Sequence, residues 1–324
     1  MLDIIKEPWP WYIAGPLIGL TVPALLILGN KSFGISSSLR HICAACIPAN
    51  VSFFKYDWKK ESWNLFFVLG IFFGGMIAAH LLMIPGEITV NPNLKAELAT
   101  YGITDYSNLV PTQLMNFESL LTRDNGAFQS AMAVFSSNDL LYGRRFFNGQ
   151  CHSSNYFISI ILSTMKKETD IRHQDTICTN ESHLQHKWYH DLKYLIVGVL
   201  FGIVFVKAEI ISWFRIQEMF RLQSFHMYGV IGSAVVTGMI SVWIIKKFKM
   251  KTIYGEKISI APKTFNKGQI YGGLIFGFGW AITGACPGPL FAQIGTGAFA
   301  VIITLVSAVL GTWVYGYFRN NLPH

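Results

Sequence analysis

A chain of 324 residues that is 52% hydrophobic, 15% aromatic and only 14% charged, with a mean hydropathy of +0.38, falls well short of the roughly 25% charged residues of a soluble domain. With several apolar runs of about 20 residues, this is the profile of an all-α, polytopic membrane protein. The net charge of +8 fits basic loops on one side of a bilayer, and no basic run is interleaved with an aromatic-rich module, so nucleic acid is not an expected partner.

Residues 1–10 hold one lysine against Asp3 and Glu7, and the apolar run behind them reaches Leu28 without a small-residue cleavage site. That pattern predicts a first transmembrane helix rather than a removed signal peptide. Spans are predicted at Trp11–Leu28, Trp63–Ile84, Tyr194–Phe214, Tyr228–Ile245, Tyr271 to about Ile294, and Phe299–Phe318, many of them ending in Trp or Tyr at the level of the lipid headgroups. Glycines recur inside them, at Gly70, Gly74 and Gly75, at Gly198 and Gly202, and at Gly273, Gly277 and Gly279. Small residues four apart let helices approach closely, so packing is their first explanation.

Loop charge orients the spans. Lys31, Arg40, Lys55, Lys59 and Lys60 between the first two, and seven lysines in Lys246–Lys267, mark the cytoplasmic side. The more acidic Pro85–Asn125 loop and the mixed Arg215–His226 link then face outward. An odd number of crossings must fall between residues 126 and 190, and one is placed near Tyr156–Met165. The chain divides into an N-terminal membrane half, 1–125, a divergent and partly loop-like segment, 126–190, and a C-terminal membrane half, 191–324. The halves share an order of parts, and Asn148-Gly149-Gln150-Cys151 echoes Thr283-Gly284-Ala285-Cys286, as an internally repeated transporter would.

The stretch "GWAITGACPGPLF", residues 279–291, breaks an apolar run. Pro287 and Pro289 each remove a backbone donor and Gly288 supplies freedom to turn. Backbone that leaves the helix at membrane depth needs protein or water to satisfy it, so Cys286 is expected at a helix end beside a cavity. Amide groups at the new N-terminus would attract an anion there, and the thiol adds a soft, weak donor. The alternative is a small buried hydrophobe in a proline kink.

Five cysteines, Cys43, Cys46, Cys151, Cys178 and Cys286, leave at least one thiol outside any intrachain pair. Cys43 and Cys46, in "RHICAACIP", have no second pair or His cluster to complete a zinc site, and the strand and helix of a thioredoxin-like dithiol centre are missing. Two readings stand: a re-entrant turn presenting thiols beside Arg40 and His41, or a buried pair. Lys207 and Glu209, inside an apolar run where charge is costly, either pair with neighbours or line a wet vestibule.

"GFGWAITGACPGPLF" and "KAEIISWFRIQEMFRLQSFHMYG" resemble the C-terminal half of the YeeE/YedE family of membrane proteins, and "GPLIGLTVPALLILGNKSFGISSSLRHICAAC" resembles its N-terminal half. The resemblance covers roughly residues 8–122 and 190–320. It implies two inverted helical halves with re-entrant elements around a narrow path. The implied role is uptake of thiosulfate or a related sulfur anion across the bacterial inner membrane. Cysteines along the path would hydrogen-bond the anion, and the matching positions are Cys286 with Gly284 and Gly288, and Cys46, with Cys43 as alternate. The family's Gly-Gly-Cys-Thr-Ser-Gly-His segment is altered here to "NGQCHSSNY", where Cys151 stands near the expected place.

The implied partners are the sulfur anion, the lipid bilayer and a small cytoplasmic sulfur-carrier or rhodanese-like protein. No enzyme activity, cofactor or metal is expected. Two other functions remain open from the sequence: a membrane thiol or persulfide carrier using Cys43 and Cys46, and a degenerate family member that does not transport.

Overall fold

A chain in hydrocarbon must satisfy its own backbone polar groups, and the apolar runs accordingly close on themselves as helices. The structure is a computed structural model that describes residues 7–31, 34–46, 51–82, 90–100, 104–106, 109, 191–258, 274, 276–277, 280, 284 and 286–318. The crossing expected near Tyr156–Met165, the 126–190 segment, Cys151 and Cys178 lie outside them. Among the described residues the protein is all-helical, with one isolated antiparallel bridge between Lys251 and Lys257 and no strand.

In chain order the helices are α1 (Trp11–Gly29), α2 (Ser36–Cys46), α3 (Ser62–Ile77), α4 (Pro92–Thr100), α5 (Leu192–Lys207), α6 (Trp213–Phe220), α7 (His226–Lys247), α8 (Pro287–Gly295) and α9 (Val301–Phe318). Helix α3 loosens into a π-turn over Ala78–Leu82. Three stretches, Trp11–Gly29, Ser62–Leu82 and His226–Lys247, are long and apolar enough to cross a membrane, and Val301–Tyr317 is a shorter apolar helix. The spans predicted near α1, α7 and α9 match to within two residues at each end, and Trp63–Ile84 corresponds to α3 with its π-turn, Ser62–Leu82. The Tyr194–Phe214 run does not. Its helix stops at Lys207, Glu209 turns left-handed with φ of 53°, and a separate short helix, α6, begins at Trp213.

The glycines set the framework. Gly70 and Gly74 of α3 lie on Gly198 and Gly202 of α5 so closely that a Cβ on any of the four would collide with a backbone oxygen of the facing helix. On its other side α3 meets α8, where Gly75 abuts the Ala292 carbonyl and Gly295 abuts that of Phe72. In hydrocarbon, where burying apolar surface gives helices no net attraction, such contact is what holds them together. The order of the touching residues makes α3 and α5 parallel. Helices α1 and α7 form a second parallel pair, with Gly15 on Ser233 and Gly19 on Ala234 and Thr237. The main core, including Phe67, Ile71, Phe201, Phe205 and Phe291, fills the space between α3, α5 and α8.

Polar contacts gather at the helix ends. At one end the Lys193 ammonium donates to the Leu28 carbonyl (2.7 Å), Ile253 N to the Ile27 carbonyl (3.0 Å) and the Ser62 hydroxyl to Asp191. At the other, Trp9 N donates to the Lys207 carbonyl (2.7 Å) and Asn91 N to Glu218 (2.6 Å). Loop charge alone sorts the loops into these same two sets. Lys31 differs from the expected solvated loop residue. It is 3% exposed, with its ammonium 5.5 Å from the centre of the Trp63 ring. Burial pushes its pKa down to about 8, against the attraction of Glu61, Asp191 and Glu256.

Two outcomes are expected. Gly198→Val lowers the melting temperature of the detergent-purified protein, at an overpacking cost of about 1–3 kcal/mol, whereas Gly232→Ala, whose added carbon meets nothing within 4 Å, leaves the melting temperature unchanged or raises it, with a stability gain of up to about 1 kcal/mol. For Lys31, the folded group loses its proton before the unfolded one, so between about pH 8 and the ordinary 10.5 the unfolded chain binds more protons and stability rises with pH. Chemical denaturation from pH 7 to 10.5 is expected to show wild type gaining a few kcal/mol (order of magnitude) relative to Lys31→Met, with a flat difference below pH 8.

Candidate functional site

The turn after α5 is built from its charges. Arg215 Nε donates to Glu209 (2.6 Å) and Nη1 to Glu218 (3.2 Å), and Glu218 accepts from Asn91 N. The Lys207 ammonium donates to the Leu82 carbonyl (3.0 Å), and the His226 ring meets the Ala208 carbonyl through Nε2 (3.0 Å). Of the two readings of Lys207 and Glu209, pairing with neighbours is the one the structure shows. The network fixes the start of α6, where Trp213 N donates to the Leu109 carbonyl (2.9 Å).

Across from this turn lies the start of α8. Gly284, left-handed at φ of +59°, donates from its N–H to the Trp280 carbonyl (2.8 Å). Two residues on, Cys286 caps α8 in extended conformation, and the first helical bond runs from Leu290 N to the Cys286 carbonyl (3.1 Å). A helix normally leaves its first few N–H groups free for a guest. Here Pro287 and Pro289 have none. Two of the amide donors expected at this break are therefore missing, removed by the prolines that make it. Gln293, one turn further, ties α8 to the α5–α6 turn by donating to the Ile211 carbonyl (2.6 Å).

Cys286, Gly284 and Gly288 thus share one turn, with Cys286 half-buried. Gly288 lies against the side chains of Ile35 and Phe205, so α2 approaches α8 at its N-terminal end. There Asn64 donates to the Gly34 carbonyl (3.2 Å) and the Ser37 hydroxyl. Cys43 and Cys46 lie about 10 and 15 Å further along α2 at the rise of a helix. The Cys43 thiol donates to the Val309 carbonyl (3.3 Å) and packs among Phe53, Phe54 and Tyr315, while Cys46 is exposed. Arg40 and His41 do not present these thiols. The Arg40 guanidinium sits 4.7 and 4.0 Å from the Phe53 and Tyr56 rings and donates to the Phe53 carbonyl, and His41 bonds Tyr56 OH (2.6 Å). No group of three His, Cys, Asp or Glu among the described residues could hold a metal.

Sequence reasoning missed three residues around this turn. Ser212 Oγ, Trp213 Nε1 and Gln293 Oε1 are buried polar atoms without a hydrogen-bond partner, on side chains at least nine-tenths buried. A lone glutamine in the apolar "PLFAQIG" was the one visible signal. Trp213 reads as ordinary apolar bulk.

A family model described as sulphur transport matches residues 214–322, bearing out there the YeeE/YedE resemblance read from the sequence. Two proteins named probable transporter, from Xylella fastidiosa strains Temecula1 and 9a5c, are each 27% identical over 126 residues. The aligned part is 37% of this chain and 84% or 86% of theirs. No solved structure matches. With three helices among the described residues long and apolar enough to cross a membrane, the chain has the features of a membrane protein, and its C-terminal part is similar to the sulphur-transport family.

Thiol accessibility follows from the placements. In detergent a small maleimide is expected to modify Cys46 within minutes, while Cys43 stays unmodified until denaturant is added. Mass spectrometry of the labelled peptides checks this, and fast labelling of Cys43 would contradict its seat against Val309.

Proposed function

We propose that this chain mediates uptake of thiosulfate or a related sulfur anion across a bacterial inner membrane, with Cys286 as a neutral hydrogen-bonding contact on the path. The observation that carries the reading is the α8 break. It holds a half-buried thiol at a helix start from which prolines remove two donors, while Arg215 and Lys207 of the adjoining α5–α6 turn are committed to Glu209, Glu218 and the Leu82 carbonyl. A dianion held by a neutral thiol rather than by a cation is held weakly enough to leave again. Thiosulfate also carries a polarizable terminal sulfur suited to a soft S–H donor.

Two inverted halves are supported by chain direction. The first long helix of each half, α1 or α5, ends at a left-handed residue, Asn30 or Glu209, and leads into a short helix. Each packs in parallel on the second long helix of the other half, α7 or α3, and the two pairs run oppositely. Exposed Cys46 would lie at the mouth on the lysine-rich side. A small sulfur-carrier or rhodanese-like protein would receive sulfur on that side. No observation favours a dithiol carrier, since Cys43 is sealed in side-chain packing.

The test is labelled thiosulfate uptake by cells lacking other importers. Wild type is expected to exceed the empty-vector control, Cys286→Ala to lose about tenfold or more, the scale of one hydrogen bond to a charged partner, and Cys43→Ala to change less than twofold. Uptake unaffected by Cys286→Ala removes the thiol from the path, and absence of uptake by wild type refutes transport of this anion.

A further inference from the structure

We propose that the indole N–H of Trp213, assisted by the Ser212 hydroxyl, donates a hydrogen bond to the transported anion beside Cys286, replacing the backbone donors that the prolines of α8 remove. The inference rests on the transport reading above and adds a residue to it.

Trp213 is 6% exposed, and its Nε1 has no hydrogen-bond partner. An indole N–H is a donor only, and leaving it buried and unpaired costs about 1–3 kcal/mol. Its position is informative. A Cβ built on Gly284 would lie 2.9 Å from Nε1, so the bare face of Gly284 is what lets the indole edge reach the backbone two residues before Cys286. Any larger residue at that left-handed glycine would cover the N–H. Ser212, fully buried at the N-cap of α6, caps nothing with its hydroxyl, which also has no partner. A serine at this position ordinarily bonds the second or third amide of its helix, and here it is left available.

Two elements thus bring complementary halves of a donor set together. The start of α8 contributes a thiol and a first turn from which prolines remove two amides; the start of α6 contributes an indole N–H and a hydroxyl. The third unpaired atom, Gln293 Oε1, is an acceptor, because Nε2 of the same amide donates to Ile211. It would repel a bare anion, so the ligand contacts are assigned to Trp213 and Ser212. All assigned donors are neutral, so the arrangement favours an anion with several acceptor atoms, such as the oxygens of thiosulfate, over a single-centre anion such as chloride.

The experiment compares wild type, Cys286→Ala and Trp213→Phe for the KM of thiosulfate uptake, and for thiosulfate binding to the purified proteins by calorimetry. Because loss of the second ring in Phe could unsettle the packing on Gly284, residue 213 is also replaced by 3-(3-benzothienyl)alanine, which keeps both rings and exchanges the N–H for sulfur. Both changes are expected to raise KM and Kd about tenfold or more, with maximal uptake and melting temperature of the benzothienyl protein near wild type. Unchanged KM and Kd in the benzothienyl protein, while Cys286→Ala is impaired, overturns the role of Trp213 and leaves the transport reading standing. Wild type that neither binds nor takes up thiosulfate overturns both.

Discussion

Helix α3 is held between two partners by glycine. Gly70 and Gly74 face α5, Gly75 faces α8, and at each contact one backbone rests on another. The closeness is possible only without side chains, and it decides where everything else stands. It puts the end of α5, and hence the Glu209 turn and α6, beside the start of α8. A framework of bulkier residues would push the helices apart and separate Trp213 from Gly284.

On that framework sits a short helix with an unusual N-terminus. Proline at the first helical position is common because the missing N–H had no intrahelical partner there. A second proline two residues later goes further, leaving Gly288 as the one amide between Cys286 and Leu290. The site is therefore defined as much by deletion as by addition. On the proposed reading, strong backbone donors at a helix end would grip a dianion, whereas a thiol, an indole and a hydroxyl would hold it through weaker contacts that a moving ion can exchange.

Much of this was legible in the sequence, for identifiable reasons. Spans bounded by polar residues, such as α1 and α7, announce their ends through hydropathy, and the prolines announce the α8 break directly. The glycine contacts follow from spacing. The end of α5 was not legible, because "YLIVGVLFGIVFVKAEIISWF" stays apolar well past Lys207 and the stop depends on Arg215 reaching back to Glu209. Lys31 looked like a loop charge because its burial comes from Trp63, 32 positions along the chain. Trp213 was invisible as a donor because only its position against Gly284 shows that nothing accepts its N–H.

The left-handed residue at Glu209 carries a further consequence. A non-glycine residue there pays a local conformational penalty of about 1–2 kcal/mol, and its ion pair with Arg215 helps to offset it. The uninterrupted rod from Tyr194 to Phe214 that hydropathy suggests is thus an alternative shape of the same segment, disfavoured by a tertiary clasp rather than by composition. The bend is conditional, and α6 begins where it does only while that clasp is fastened.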